Sequence, residues 1–102
     1  MNAWYVYIVR CADNTLYTGV AKDVKARVSL HNAGQGAKYT FARRPVVLVY
    51  VETATDHGAA LRREYEIKQL RSAAKRHLIA DSAEVSGNAH ANEPLRMAGG
   101  GL

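Results

Sequence analysis

The spacing of apolar positions changes several times along this chain, and each change marks an element. Trp4 to Cys11 is dense in aromatic and β-branched residues (Tyr5, Val6, Tyr7, Ile8, Val9), the composition of a strand. Ala12-Asp13-Asn14 supplies turn chemistry, and Leu16 to Ala21 reads as the returning strand of a hairpin. Asp23 is placed to cap a helix over Val24 to about Ala33, which Gly34 would end. A polar, basic loop follows from Gln35 to Arg44. After Pro45, the run Val46 to Val51 predicts a third strand, continuous enough in apolar character to be largely buried. Thr55 or Asp56 would then cap a long helix carrying Leu61, Tyr65, Ile67 and Leu70. A break near Ser72 starts a short last helix with Leu78 and Ile79. From Ser82 the composition shifts to Ser, Gly, Asn and Ala and reads as a disordered tail.

The order β-β-α-β-α-α excludes a doubly wound parallel sheet. It predicts an α+β fold, a small, mostly antiparallel three-stranded sheet flanked by helices, over residues 1–81, with 82–102 as the tail. At 102 residues there is room for one core only. No apolar run approaches the roughly 20 residues that span a bilayer, and no secretory signal opens the chain. Cys11 is the single cysteine, which excludes an internal disulfide and a cysteine-based zinc site and suits a reducing cytoplasm. The formal charge is +5, and all but one of the 14 Lys and Arg residues precede residue 82. Such a balance suits a polyanionic partner without requiring one.

Three groups of residues have chemical potential, and each has a plainer reading beside it. Leu61, Glu64 and Ile67 are spaced by three, so Glu64 projects along or beside the apolar stripe, whereas Glu66 lies about 200° round the helix and faces water. Glu64 either pairs with Lys68 at i+4 on the surface or holds a divalent cation. Arg27 and His31, also at i and i+4, form either a solvated helical face or a guanidinium and an imidazole aimed at one phosphate. Tyr5, Tyr7 and Tyr17 suit strands for packing alone. A phenol, with a pKa of about 10, becomes a useful proton acceptor only beside cations.

These groups occur in one order. Tyr5-Val6-Tyr7, then Tyr17-Thr18-Gly19, then Arg27 and a downstream helix with Glu64-Tyr65-Glu66-Ile67-Lys68 resemble the GIY-YIG nuclease superfamily, in particular its small stand-alone bacterial branch. Gly36-Ala37-Lys38-Tyr39-Thr40 and Arg44-Pro45 strengthen the likeness, which covers about Trp4 to Ile79. It implies a DNA endonuclease that hydrolyses phosphodiesters by attack of water. Tyr17 would take the water's proton, with Tyr7 supporting it by hydrogen bonding. Arg27 would stabilise the scissile phosphate, His31 would orient the water or relay a proton, and Glu64 would hold one Mg²⁺ or Mn²⁺. Lys38, Tyr39, Arg43 and Arg44 in the loop, and Arg71, Lys75 and Arg76 after the long helix, would contact DNA. For the basic residues the other reading is a solvated surface, and for Tyr39 it is packing on the first helix. The alternative function is a nucleic-acid-binding module of the same fold that does not cut, and a third is a protein-interaction adaptor. A protein partner could supply targeting, because a chain of this length leaves no room for a specificity domain.

A shared site fixes the hairpin register. A two-residue turn at Asp13-Asn14 would oppose Tyr17 to Arg10 and send Tyr7 and Tyr17 to opposite faces of the sheet. A three-residue loop, Ala12-Asp13-Asn14, opposes Tyr17 to Val9 and brings both tyrosines to one face. Such a loop needs a left-handed residue at its end, and Asn14 is there.

Overall fold

The computed structural model describes residues 3–90, with side chains through Ser82. Two units divide between Gln69 and Leu70. The first contains β1 (Trp4–Arg10), β2 (Leu16–Ala21), α1 (Val24–Asn32), α2 (Lys38–Phe41), β3 (Val47–Ala54) and α3 (His57–Gln69). The second contains α4 (Ser72–His90). The strands form one antiparallel sheet in the order β2-β1-β3, the α+β architecture that the element order predicts.

The hairpin has the three-residue loop. Cys11 N–H donates to Thr15 O and Asn14 N–H to Cys11 O, both at 2.8 Å, and Asn14 takes φ 68°. Asp13 Oδ1 accepts from the backbone and hydroxyl of Thr15, which braces the turn. Val9 therefore stands opposite Tyr17, and Tyr7 opposite Gly19.

Strand order corrects one expectation. The run Val46 to Val51 reads as the buried strand, but β3 is an edge, with Val47 50% and Val51 41% exposed. The centre is β1, where Val6, Tyr7, Ile8 and Val9 are all buried. Here the central strand is covered on both faces, and strand order is a non-local property that a run of valines does not encode. A register shift between Ile8 and Val9 leaves Val49 unpaired in β3, a bulge that sets Leu48 against the Tyr7–Val9 cluster.

Helix α1 follows its local signals. Asp23 caps it, accepting from Ala26 N–H at 3.0 Å. It ends in a Schellman motif, with Gly34 at φ +82°, Gly34 N–H on His31 O and Gln35 N–H on Leu30 O. Val24 and Val28 pack on the Tyr7–Val9 side and His31 is buried, an i, i+4, i+7 row. Asn32 ties the end of α1 to the start of β3 by two hydrogen bonds to the backbone of Val46.

Three further expectations are corrected. The stretch Gln35 to Arg44 is not all loop, because it contains α2, whose Thr40 is completely buried. In α3, which Asp56 caps at Ala59 N–H, the packed residues are Ala60 and Ile67, while Leu61 and Tyr65 are 44% and 67% exposed. Ala60, Glu64 and Ile67 form one row, so Glu64 stands in the middle of the packed face and not beside a leucine stripe. Small Ala60 lets the helix approach the sheet closely, which hydrophobicity alone does not signal. Helix α4 starts at Ser72 as the break predicts, but continues to His90, past the Ser82 at which the tail was expected to begin. The remainder of that expected tail, 91–102, lies outside the described residues.

These backbone assignments carry a paired prediction. Gly34→Ala forces a side chain into the left-handed region and costs about 1–2 kcal/mol. Gly58→Ala, in a helix where a Cβ meets nothing closer than 3.5 Å, gains about 0.4–1 kcal/mol. Urea denaturation of both variants checks the opposite signs.

Candidate active site

The hairpin brings two phenols to one face of the sheet, and α1 brings an imidazole to both. Tyr7 Oη lies 2.8 Å from His31 Nε2 in a buried hydrogen bond. Tyr17, half-buried, sets its ring edge-on to His31 at 5.3 Å between centroids. The close packing depends on two glycines. A Cβ at Gly19 would lie 2.6 Å from Tyr7 Oη, and one at Gly36 would lie 2.2 Å from His31 Nδ1. On its other side His31 Nδ1 is 2.8 Å from Thr40 Oγ1 and 3.3 Å from Ala37 N.

Burial controls the charge of this pair. It raises the Tyr7 phenol well above its ordinary value, with Tyr17 adding to the rise, Arg27 opposing it and Glu64 supporting it. Burial also lowers His31, and Arg27 lowers it further. Both groups are therefore neutral at pH 7. The fields of Arg27 and Glu64 both reach the Tyr7 phenol, which links two residues 37 positions apart in sequence to one locality.

Arg27 is exposed, and its guanidinium makes no hydrogen bond or ion pair among the described residues. Glu64 has 18% of its side chain exposed and pairs through Oε2 with Lys68 Nζ at 3.2 Å, as the i, i+4 spacing allows. Glu66 is 63% exposed and pairs with Arg63. Asp56 caps α3, and Glu52 on β3 is engaged at both oxygens. It accepts from the Tyr50 hydroxyl at one oxygen and from Arg63 Nε at 2.7 Å at the other. No group of three His, Cys, Asp or Glu gathers among the described residues. Of these carboxylates Glu64 is the one suited to a hard cation: it is partly desolvated, and its Oε1 has no hydrogen bond among the described residues.

The loop residues divide by what holds them. Lys38 is exposed at the start of α2. Tyr39 stacks on Tyr17, at 5.9 Å between rings and 25° between planes. Arg43 lies 3.9 Å over the Tyr39 ring, pairs with Asp13 at 3.1 Å and donates to Tyr39 O. Arg44 donates to Phe41 O at 2.7 Å and to Asn32 O. Both guanidinium groups thus brace the loop, and their charge remains at its surface. Arg71, Lys75 and Arg76 belong to the second unit, at the start of α4. Sequence reasoning missed the contact of Thr40 with His31. Only its place in the stretch after Gly36 set Thr40 apart, and a threonine in a basic loop otherwise reads as solvated.

Known proteins resemble this chain in sequence and in fold. Residues 3–77 match the GIY-YIG catalytic domain family. A UPF0213 protein of Staphylococcus aureus is 57% identical over 81 residues, covering 79% of this chain and 99% of that one. One from Staphylococcus haemolyticus is 56% identical over 77 residues, covering 76% and 94%. The solution structure of the UPF0213 protein of Bacillus halodurans superposes with a TM-score of 0.54 at 38% identity, covering 86% of this chain and 94% of that one. Nucleases of the superfamily act on nucleic acid and generally use a divalent metal, and no helix among the described residues is long and apolar enough to cross a membrane. With the family matched over most of its length, this chain belongs to the GIY-YIG catalytic domain family.

Proposed function

We propose that the protein is a metal-dependent DNA endonuclease whose site consists of Tyr7, Tyr17, Arg27, His31 and Glu64. The observation that carries this reading is the convergence on Tyr7: Tyr17 shares its face of the sheet, and both the unpaired guanidinium of Arg27 and the carboxylate of Glu64 act on its phenol. Phosphodiester hydrolysis needs a positioned water, a proton acceptor, and positive charge where it builds on the phosphoryl oxygens. Tyr17, whose hydroxyl makes no hydrogen bond among the described residues, takes the proton of the attacking water. Arg27 offers its planar fork to the scissile phosphate. Tyr7 stays neutral and supports the site by hydrogen bonding, and His31 holds Tyr7. Glu64 would hold one Mg²⁺ or Mn²⁺, which when bound supplies further charge stabilisation at the phosphate. Lys38 and Arg44 would meet the DNA backbone from the loop, Arg43 would add charge from its brace, and Tyr39 would offer an aromatic face; in the second unit, taken by itself, Arg71, Lys75 and Arg76 would be the residues that meet DNA.

The test is purified protein with Mg²⁺ or Mn²⁺ on labelled single-stranded, flapped and duplex DNA. Glu64→Ala and Arg27→Ala should each lose about 3–4 kcal/mol of transition-state stabilisation, roughly two to three orders of magnitude in rate, with the fold intact. Glu66→Ala should cut nearly as well as the parent. Equal losses from Glu64→Ala and Glu66→Ala would contradict the assignment.

The neutral pair also predicts how stability varies with pH. Tyr7 has a raised pKa in the fold, so its contribution is present below the unfolded phenol value of about 10 and is lost above it. His31 has a lowered pKa, so its contribution is present above about 6.5 and is lost as pH falls. Unfolding free energy from urea titrations should plateau between these limits, and His31→Phe should flatten the acid limb.

A further inference from the structure

The geometry points to Thr40 as a positioning residue: with the backbone N–H of Ala37, its hydroxyl keeps the proton of His31 on Nε2 and so turns the Tyr7 hydroxyl proton toward the site. A neutral imidazole has one N–H and one bare nitrogen, and which is which decides what Tyr7 can do. Tyr7 Oη and His31 Nε2 lie 2.8 Å apart, so either Tyr7 donates to the ring or the ring donates to Tyr7. The answer lies at the opposite nitrogen. Ala37 N–H points at Nδ1 at 3.3 Å, and a backbone N–H can only donate. Nδ1 must then be bare.

Thr40 completes the assignment. Its Oγ1 is 2.8 Å from Nδ1 and 2.9 Å from Ala37 O, but a hydroxyl has one proton to give. The Ala37 carbonyl already accepts from the N–H groups of Thr40 and Phe41, both at 3.2 Å. If the hydroxyl proton went there, two lone pairs would face each other at 2.8 Å across Oγ1 and Nδ1. Donation to Nδ1 removes that repulsion and leaves no buried group orphaned. Thr40 is completely buried and His31 nearly so, so water does not compete. Nε2–H then donates to Tyr7 Oη, and the Tyr7 proton is left for an acceptor in the site: Tyr17, the attacking water or a phosphate oxygen. The charged and titratable groups around the imidazole are Tyr7 on β1, Tyr17 on β2 and Arg27 on α1.

This inference rests on the proposed active site for its kinetic consequence, but not for its spectroscopic one. A long-range ¹H–¹⁵N correlation spectrum of the full chain should place the His31 proton on Nε2. Thr40→Val keeps the shape and removes the donor. It should populate the second tautomer and lower kcat about ten- to hundredfold, by analogy with loss of the partners that orient metal-bound histidines, with KM little changed. Thr40→Ser should restore both the spectrum and kcat, a rescue that a purely structural role for the threonine methyl would not give. A proton on Nδ1 in the parent protein would overturn the inference, as would a Thr40→Val protein with parental tautomer and kcat. Were no DNA cut under any condition, the proposed function would fail, and the parent spectrum alone would still decide the tautomer.

Discussion

The buried hydrogen bond between Tyr7 and His31 constrains the hairpin, the end of α1 and the segment that follows it. A phenol and an imidazole buried without partners would each cost several kcal/mol, so the fold must keep them together. Much of the local architecture follows from that need. The hairpin register sets Gly19 opposite Tyr7, where any Cβ would strike the hydroxyl. The Schellman end of α1 turns the chain so that Gly36 passes beside His31 Nδ1, and α2 then delivers Thr40 and Ala37 to that nitrogen. Arg43, pinned between Asp13 and Tyr39, links this loop back to the hairpin turn.

The same contact separates the roles of the two tyrosines. Tyr7 is immobilised and kept neutral by burial, which suits a donor of hydrogen bonds and not a base. Tyr17 packs against the Tyr7–Val9 cluster and sets its ring against His31 and Tyr39, while its hydroxyl makes no hydrogen bond among the described residues. Arg27 flanks the buried row of α1 one turn before His31, so a rigid element sets the spacing between its guanidinium and the buried pair.

What could be read from the sequence was what local chemistry determines. Asn14 announced its left-handed turn, Asp23 and Gly34 bounded α1, and alternation placed Tyr7 and Tyr17 on one face once the loop length was chosen. Features set by distant partners were not readable. Nothing in Val47 to Val51 says that the strand lies at an edge. Ala60, not Leu61, meets the sheet because close approach favours the smaller residue, and this moves Glu64 to the centre of the packed face. Thr40 has a polar side chain in a basic stretch, and only the folded chain brings it to an imidazole nine residues away. Arg43 and Arg44 read as free cations, yet neighbouring carbonyls and a carboxylate hold their heads.

In the proposed active site, one locality organised around the Tyr7–His31 pair contains both Arg27, for the phosphate, and Glu64, for the metal. Paramagnetic broadening by added Mn²⁺ in the NMR spectrum of the full chain tests it without relying on any substrate. Broadening should centre on Glu64, extend to Tyr7, Tyr17 and Arg27, persist in Glu66→Ala, and vanish in Glu64→Ala. Broadening centred on Glu52, Glu66 or Asp13, or unchanged by Glu64→Ala, would contradict the claim.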